Sequence, residues 1–221
     1  MTTDDRIERA RSLYDRAVFA GDTHALAAAE HALNAVEADL ALARGRLVHA
    51  RFLDGGAEDP RELELFERAA DLYRTLGDTR GEAEALFWIG AFHQVVRGDD
   101  GVAVPALERS RALAAAAGDS LTTSYALRHL GIAAHHAGRL DTARTHLEES
   151  VRLRRGLGFH AGVAANLVGL AYITAAEGDR DKALELLDEA TSLARSDGAH
   201  SVIGWIDEAR AQLATGGGPG G

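Results

Sequence analysis

Leu127–Ser150, LRHLGIAAHHAGRLDTARTHLEES, is echoed in outline forty residues later. Gly138 is answered by Gly178, Ala143 by Ala183 and Leu147 by Leu187, with Leu153 and Leu193, then Gly158 and Gly198, continuing the match. Forty residues earlier stand Gly98, Ala103, Leu107, Leu113 and Gly118. A fixed period of this size marks stacked supersecondary units, none of which can cover its own apolar face alone. Within each unit the small alanine lets helices approach closely, the leucines fill the space beside it, and the terminal glycine supplies the left-handed backbone of a helix stop.

Outward from this core, apolar residues recur at three-four spacing and predict an all-α chain. Ile7, Ala10, Leu13, Tyr14, Ala17 and Val18 make one face of a first helix over about 4–20. From Asp22 helical character runs to Leu53 with only Gly45 interrupting, and a break near Asn34 to Ala38 is expected because single helices of that length are uncommon. The resulting organisation is one elongated domain over 1–214: N-terminal helices 4–37, helix pairs 38–78, 79–119, 120–159 and 160–199, and a closing helix 201–214. The stretch 215–221, TGGGPGG, reads as a flexible glycine-rich tail. In the second pair either Gly90 or Ala91 can serve as the small crossing residue.

Composition narrows the function. Hydrophobic residues make up 46% and charged residues 26%, enough apolar surface for a core. A formal charge of −10 sets the whole-molecule field against phosphate backbones and anionic bilayers, so no nucleic-acid and no membrane partner is expected. No cysteine is present, which removes disulfides and thiolate chemistry. The N-terminal residues lack a basic start and an apolar run, and a cytoplasmic location fits. The charge runs Glu58-Asp59, Glu148-Glu149 and Arg152 to Arg155 read as solvated faces.

The quoted stretch resembles a tetratricopeptide repeat. Leu127, Leu130 and Gly131 stand at the large, Leu and Gly positions, Ala143 follows twelve residues after Gly131, Leu147 takes the Phe position and Ser150 a small-residue position. Leu167, Leu170, Ala171, Ala183, Leu187 and Ala190 match in the next unit. The resemblance covers roughly Ala38 to Ala214 and implies a right-handed α-solenoid of antiparallel helix pairs. The period is forty or forty-one rather than thirty-four and the terminal proline is absent, so the chain looks like the extended variety found in bacterial regulators and kinesin light chain. The Lys-Asn-Asn-Lys-Arg pattern with which chaperone adaptors clamp a terminal carboxylate is not found.

In that family the first helix of each pair lines a concave groove. By register the resemblance puts Trp88 and Phe92 there, then Tyr125, Arg128, Ile132 and His135, then Val168 and Tyr172, and Trp205 in the closing helix, with Arg44, Leu47 and Arg51 starting the row. Aromatic and apolar groups with a few arginines suit an extended peptide, an amphipathic helix or a small apolar ligand. The bland alternative is that these aromatics only fill an inner layer, and a third use of the face, or of the end helices, is a homodimer contact. His129 and His136 share a helix face and His93 lies in the preceding pair, which makes them the candidate metal ligands, but no HExxH pattern or acidic residue in that helix supports them. No phosphate loop and no nucleophile elbow is present, so no catalytic residue and no cofactor is assigned. The expectation is a non-catalytic binding or scaffold module for a peptide, a partner protein or a small apolar effector. The rivals are an enzyme or small-molecule carrier using Arg128, His129, His135 or His136, and the sensor component of a transcription regulatory system.

Overall fold

A computed structural model describes residues 3–215; most of the glycine-rich tail, 216–221, lies outside the described residues. Among them are ten α-helices, one π-helical turn and no strand, arranged as antiparallel pairs of a helical-repeat solenoid. The chain divides into two compact units between Ala117 and Gly118.

The first unit holds α1 (Thr3–Ala20), α2 (Ala25–Leu53), α3 (Arg61–Leu76), α4 (Thr79–Ala91), a π-helical turn (Phe92–Val96) and α5 (Asp100–Ala116). The break expected near Asn34 to Ala38 does not occur: α2 is one helix of 29 residues. Its length has a packing reason. Ala25 and Ala29 bury against Ala10 and Leu13 of α1, whereas Ala38, Ala41 and Leu42 bury with Phe66, Ala69 and Tyr73 of α3. One helix thus serves two neighbours with two different faces, and no proline or capping side chain interrupts it.

Gly45 shows how close α2 and α3 come, since a Cβ built there would lie 2.5 Å from the Phe66 ring. Gly90 holds the same place in the next pair, with Leu107 Cγ 2.6 Å and the Ala103 carbonyl oxygen 3.2 Å from a built Cβ. Gly90, not Ala91, is therefore the crossing residue of the second pair. Thirteen residues separate Gly90 from Ala103, one more than separate Gly131 from Ala143. The extra residue is absorbed in the π-helical turn, where the Arg97 amide reaches back to the Phe92 carbonyl and the Asp99 amide to the His93 carbonyl. Gly90→Ala is expected to lose about 1 kcal/mol, overpacking strain outweighing the gain in helix propensity. Gly204→Ala, whose Cβ meets nothing within 4 Å, is expected to gain about that amount, and urea unfolding of the two variants measures both.

The second unit holds α6 (Ser120–His136), α7 (Leu140–Gly156), α8 (His160–Ala176), α9 (Arg180–Ser196) and α10 (His200–Thr215). Asp119 caps α6 by accepting from the Leu121 and Thr122 amides, and Asp179 caps α9 by accepting from the Lys182 amide. Gly138, Gly158, Gly178 and Gly198 end the helices with positive φ. Ala143, Ala183 and Leu187 are wholly buried and Leu147 nearly so, in one core with Ala171, Ile173 and Ile206.

One expectation about charge fails here. Arg152 and Arg155 are exposed, but Arg154 is 1% exposed. It stands where the neighbouring repeats carry Ala114 and Ala194, both fully buried, so the register points it inward. Its guanidinium lies 4.9 Å from the Tyr125 ring and 5.4 Å from the Phe159 ring. Aromatic faces hold what the other repeats fill with a methyl group.

Candidate functional site

The second unit contains a cavity of about 730 Å³ walled by α6, α8 and α10. Its apolar surface comes from Ile132, Leu147, Ala165 and Val168, and the helical glycines Gly131 and Gly169 let Leu147 reach it, since a Cβ at either would come within 3.0 and 2.9 Å of the Leu147 side chain. Polar groups stand around it: Arg128, His135 and His136 from α6, Tyr172 from α8, Glu208 and Gln212 from α10. Trp205 forms part of the wall at 46% exposure, so α10 borders the cavity without sealing it.

Arg128 is the group whose electrostatics stand out. Its Nη1 donates to the Ala165 carbonyl at 2.7 Å and to Asn166 Oδ1 at 3.2 Å, and the guanidinium lies 5.9 Å from the Trp205 ring. These are neutral partners. Burial alone lowers its pKa to about 10, which leaves it charged at neutral pH. Asn166, fully buried, holds it in place: Oδ1 also accepts from Arg154 Nη1 at 3.1 Å, and Nδ2 donates to Ser150 Oγ at 2.7 Å. Ser150 Oγ in turn donates to the Ser124 carbonyl, and Ser124 Oγ accepts from Arg154 Nε. Arg154 Nη1 also donates to the Gly162 carbonyl. Burial, then the neighbouring Arg128 charge, lowers Arg154 to about 10 as well.

His135 is shifted below its ordinary value, first by burial and then by the nearby His136, so it is neutral at pH 7. Burial and then the Glu208 charge raise the Tyr172 hydroxyl, which therefore stays protonated and can donate. The surface thus offers apolar walls, one fixed cation at Arg128, one carboxylate at Glu208 beside Tyr172, and neutral donors.

Arg128, Ile132, His135, Val168, Tyr172 and Trp205 come together around this cavity. Tyr125 does not line it, lying 6.0 Å from the Phe159 ring and over Arg154. In the first unit, Phe92 is fully buried, and Trp88 stacks on Phe66 at 5.6 Å with His49 edge-on to it at 5.3 Å. The reason is register: with Gly90 as the crossing residue, every face of α4 turns by one position from the reading based on Ala91. Arg44, Leu47 and Arg51 line a separate depression of about 580 Å³ with Arg61, Glu64 and Leu65. Among the described residues no group of three or more histidine or carboxylate side chains is placed to hold a metal ion. His93 is lowered by burial and then by Arg97, and it lies beside Phe92 in the first unit, whereas His129 and His136 belong to α6.

Sequence reasoning missed Asn166, Ser150 and Arg154 as supports of Arg128. Asn166 is the one clue it had, a lone amide in the otherwise apolar run of α8.

Helix pairs whose first members wall a cavity and whose second members carry the repeated alanine and leucine define a helical-repeat binding module. The tetratricopeptide repeat model matches residues 81–156 and 122–196, more than half of the chain. The chain belongs to the tetratricopeptide repeat family, whose repeats mediate protein–protein interaction and scaffolding. Comparison with curated proteins finds no match. Among the described residues no helix is long and apolar enough to cross a membrane.

Proposed function

We propose that the second unit is a recognition module that seats an apolar side chain of a peptide or partner protein in the cavity between α6, α8 and α10, with an acidic group of that ligand paired to Arg128. One observation carries the reading: a cation whose hydrogen bonds, among the described residues, go to the neutral oxygens of Ala165 and Asn166 stands at the edge of an apolar cavity. A carboxylate there gains a charge-assisted hydrogen bond in partly desolvated surroundings, and little reorganisation is needed because Asn166 already holds the guanidinium. Apolar contact with Ile132, Val168, Tyr172 and Trp205 supplies the remaining affinity. The exposed edge of Trp205 leaves room for a chain to pass, which favours a peptide over an enclosed small effector.

The reading is tested with an array of short peptides carrying Leu or Phe next to Asp or Glu, each matched to its Asn or Gln counterpart. Binding is expected to fall at least tenfold when the acid becomes an amide. Tyr172→Ala with Trp205→Ala is expected to weaken binding by more than about 2 kcal/mol, or roughly 30-fold, because aromatic anchors dominate such interfaces. A folded double variant that binds as well as the original chain would sink the proposal. So would indifference to the acid-to-amide change.

A further inference from the structure

The strongest unexplained feature belongs to the first unit, on α1 and α2. Of the fourteen large hydrophobic residues that stand exposed among the described residues, nine precede Gly55. Four of them, Leu26, Leu33, Leu40 and Leu47, follow one another at seven-residue intervals along α2, with exposures of 56, 45, 47 and 61%. A straight α-helix drifts about 20° per seven residues, so a kept seven-residue leucine row suits a second helix wound along it rather than packing within one chain.

The row continues onto α1. The seam between the helices is made by Ala10, Leu13 and Ala17 on one side and Ala25 and Ala29 on the other, and Arg6 bonds to Asp39. The pair is therefore antiparallel. At about 100° per residue, Ile7, Tyr14 and Val18 lie roughly 90° round α1 from its seam, and Leu26, Leu33 and Leu40 roughly 70° round α2 from theirs. Because the helices run in opposite directions, both rotations lead to the same side of the hairpin. Ile7, Tyr14 and Val18 are 47, 56 and 53% exposed. One contiguous apolar face results, on the order of 600 Å² per chain, close to the roughly 800 Å² per partner of a stable protein interface.

Charge says what covers it. Beside the leucine row run Glu30, Glu37, Arg44 and Arg51, also seven apart and all exposed, acidic in the first half and basic in the second. Glu37 is paired with Arg68 of α3. We infer that the α1–α2 hairpin is the dimerisation surface of this protein, covered by the hairpin of a second copy in a two-fold, antiparallel four-helix arrangement. A two-fold axis at Leu40 sets Leu33 against Leu47 of the second copy, and the same register brings Glu30 to its Arg51 and Glu37 to its Arg44. Such an interface is self-complementary, as two-fold symmetry requires. A parallel pair instead brings acidic half to acidic half and basic to basic, which the charges oppose.

The test is the mass of the full chain in solution. Light scattering on a sizing column at 20–50 μM is expected to give twice the 23.4 kDa chain mass. Leu33→Glu with Leu40→Glu is expected to give the monomer mass with an unchanged helical circular dichroism spectrum, since both side chains are exposed and support no core of their own. The pairing direction is read from a charge swap. Glu30→Arg alone and Arg51→Glu alone each weaken the dimer, and mixing the two variants restores it because the opposed pairs then match in both places. A wild-type chain that is monomeric at 50 μM overturns the inference, and so does a dimer that survives the double glutamate substitution. A dimer for which the mixture is no tighter than either charge variant overturns the antiparallel arrangement.

Discussion

Leu187→Ala lowers the stability of the second unit by about 3–5 kcal/mol, measured as a shift in urea midpoint followed by circular dichroism. Leu187 is wholly buried in the core made by α7, α8, α9 and α10, between helices held close by Ala171 and Ala183. Those neighbours are already alanine and cannot shorten further, so little can move into the space left behind, and the cavity cost adds to the lost transfer energy. Leu157 offers the contrast. It belongs to a helix stop and is 47% exposed, so Leu157→Ala is expected to stay within about 0.5 kcal/mol. Equal losses in the two variants would show that the repeated leucine does not carry the stacking. Leu107 and Leu147, at the same repeat position, are expected to follow Leu187.

His49→Ala is expected to cost about 3–5 kcal/mol in the first unit, a loss of the same size from a different cause. Glu62 stands at the place that Ala103, Ala143 and Ala183 hold in the other repeats, and it is fully buried. His49 Nδ1 lies 2.7 Å from Glu62 Oε1, whereas Oε2 has no partner. Without the imidazole, both carboxylate oxygens are unpaired in the core and the Trp88 ring loses its edge contact. Glu62→Ala removes the group that needs a partner and restores the alanine of the other repeats, so it is expected to cost less than His49→Ala. The opposite order would sink this account of the pair.

The same pair sets a pH dependence. Burial raises the Glu62 carboxyl, with the His49 hydrogen bond acting against it. The folded state therefore binds a proton more tightly at this site than the unfolded chain does. Its contribution to stability is fully present below the ordinary carboxylate range and is lost as pH rises through the elevated folded value. In His49→Ala the opposing hydrogen bond is gone, so the variant recovers part of its loss on moving from pH 8 to pH 5. Glu62→Gln cannot titrate, and its stability is expected to be flatter over that interval.

Much of the second unit was legible in its residues and much of the first was not. From α6 onward each pair repeats at forty residues without insertion, so counting from Gly131 places Arg128, Ile132 and His135, and counting from Ala171 places Val168 and Tyr172. All five meet at one cavity. The first unit breaks the count twice. A longer connection joins α2 to α3, and one extra residue follows Gly90, absorbed as a π-helical turn. Each slip of one residue turns a helix face by about 100°, enough to carry Phe92 into the core and Trp88 onto Phe66.

What the sequence determined alone is the repeat: the period of glycine, alanine and leucine requires paired helices that bury one another, because a single pair leaves its apolar stripe in water. Tertiary structure alone decided which polar residues are interior. Arg154 and Glu62 look like ordinary surface charges in a helical pattern, yet each occupies a position that neighbouring repeats give to alanine. Whether such a residue is tolerated depends on what lies opposite, the Tyr125 and Phe159 rings in one case and the His49 imidazole in the other. Phe159 is five residues from Arg154 but across a helix stop, Tyr125 is twenty-nine residues from it and His49 thirteen from Glu62, and local periodicity carries no information about contacts made by folding.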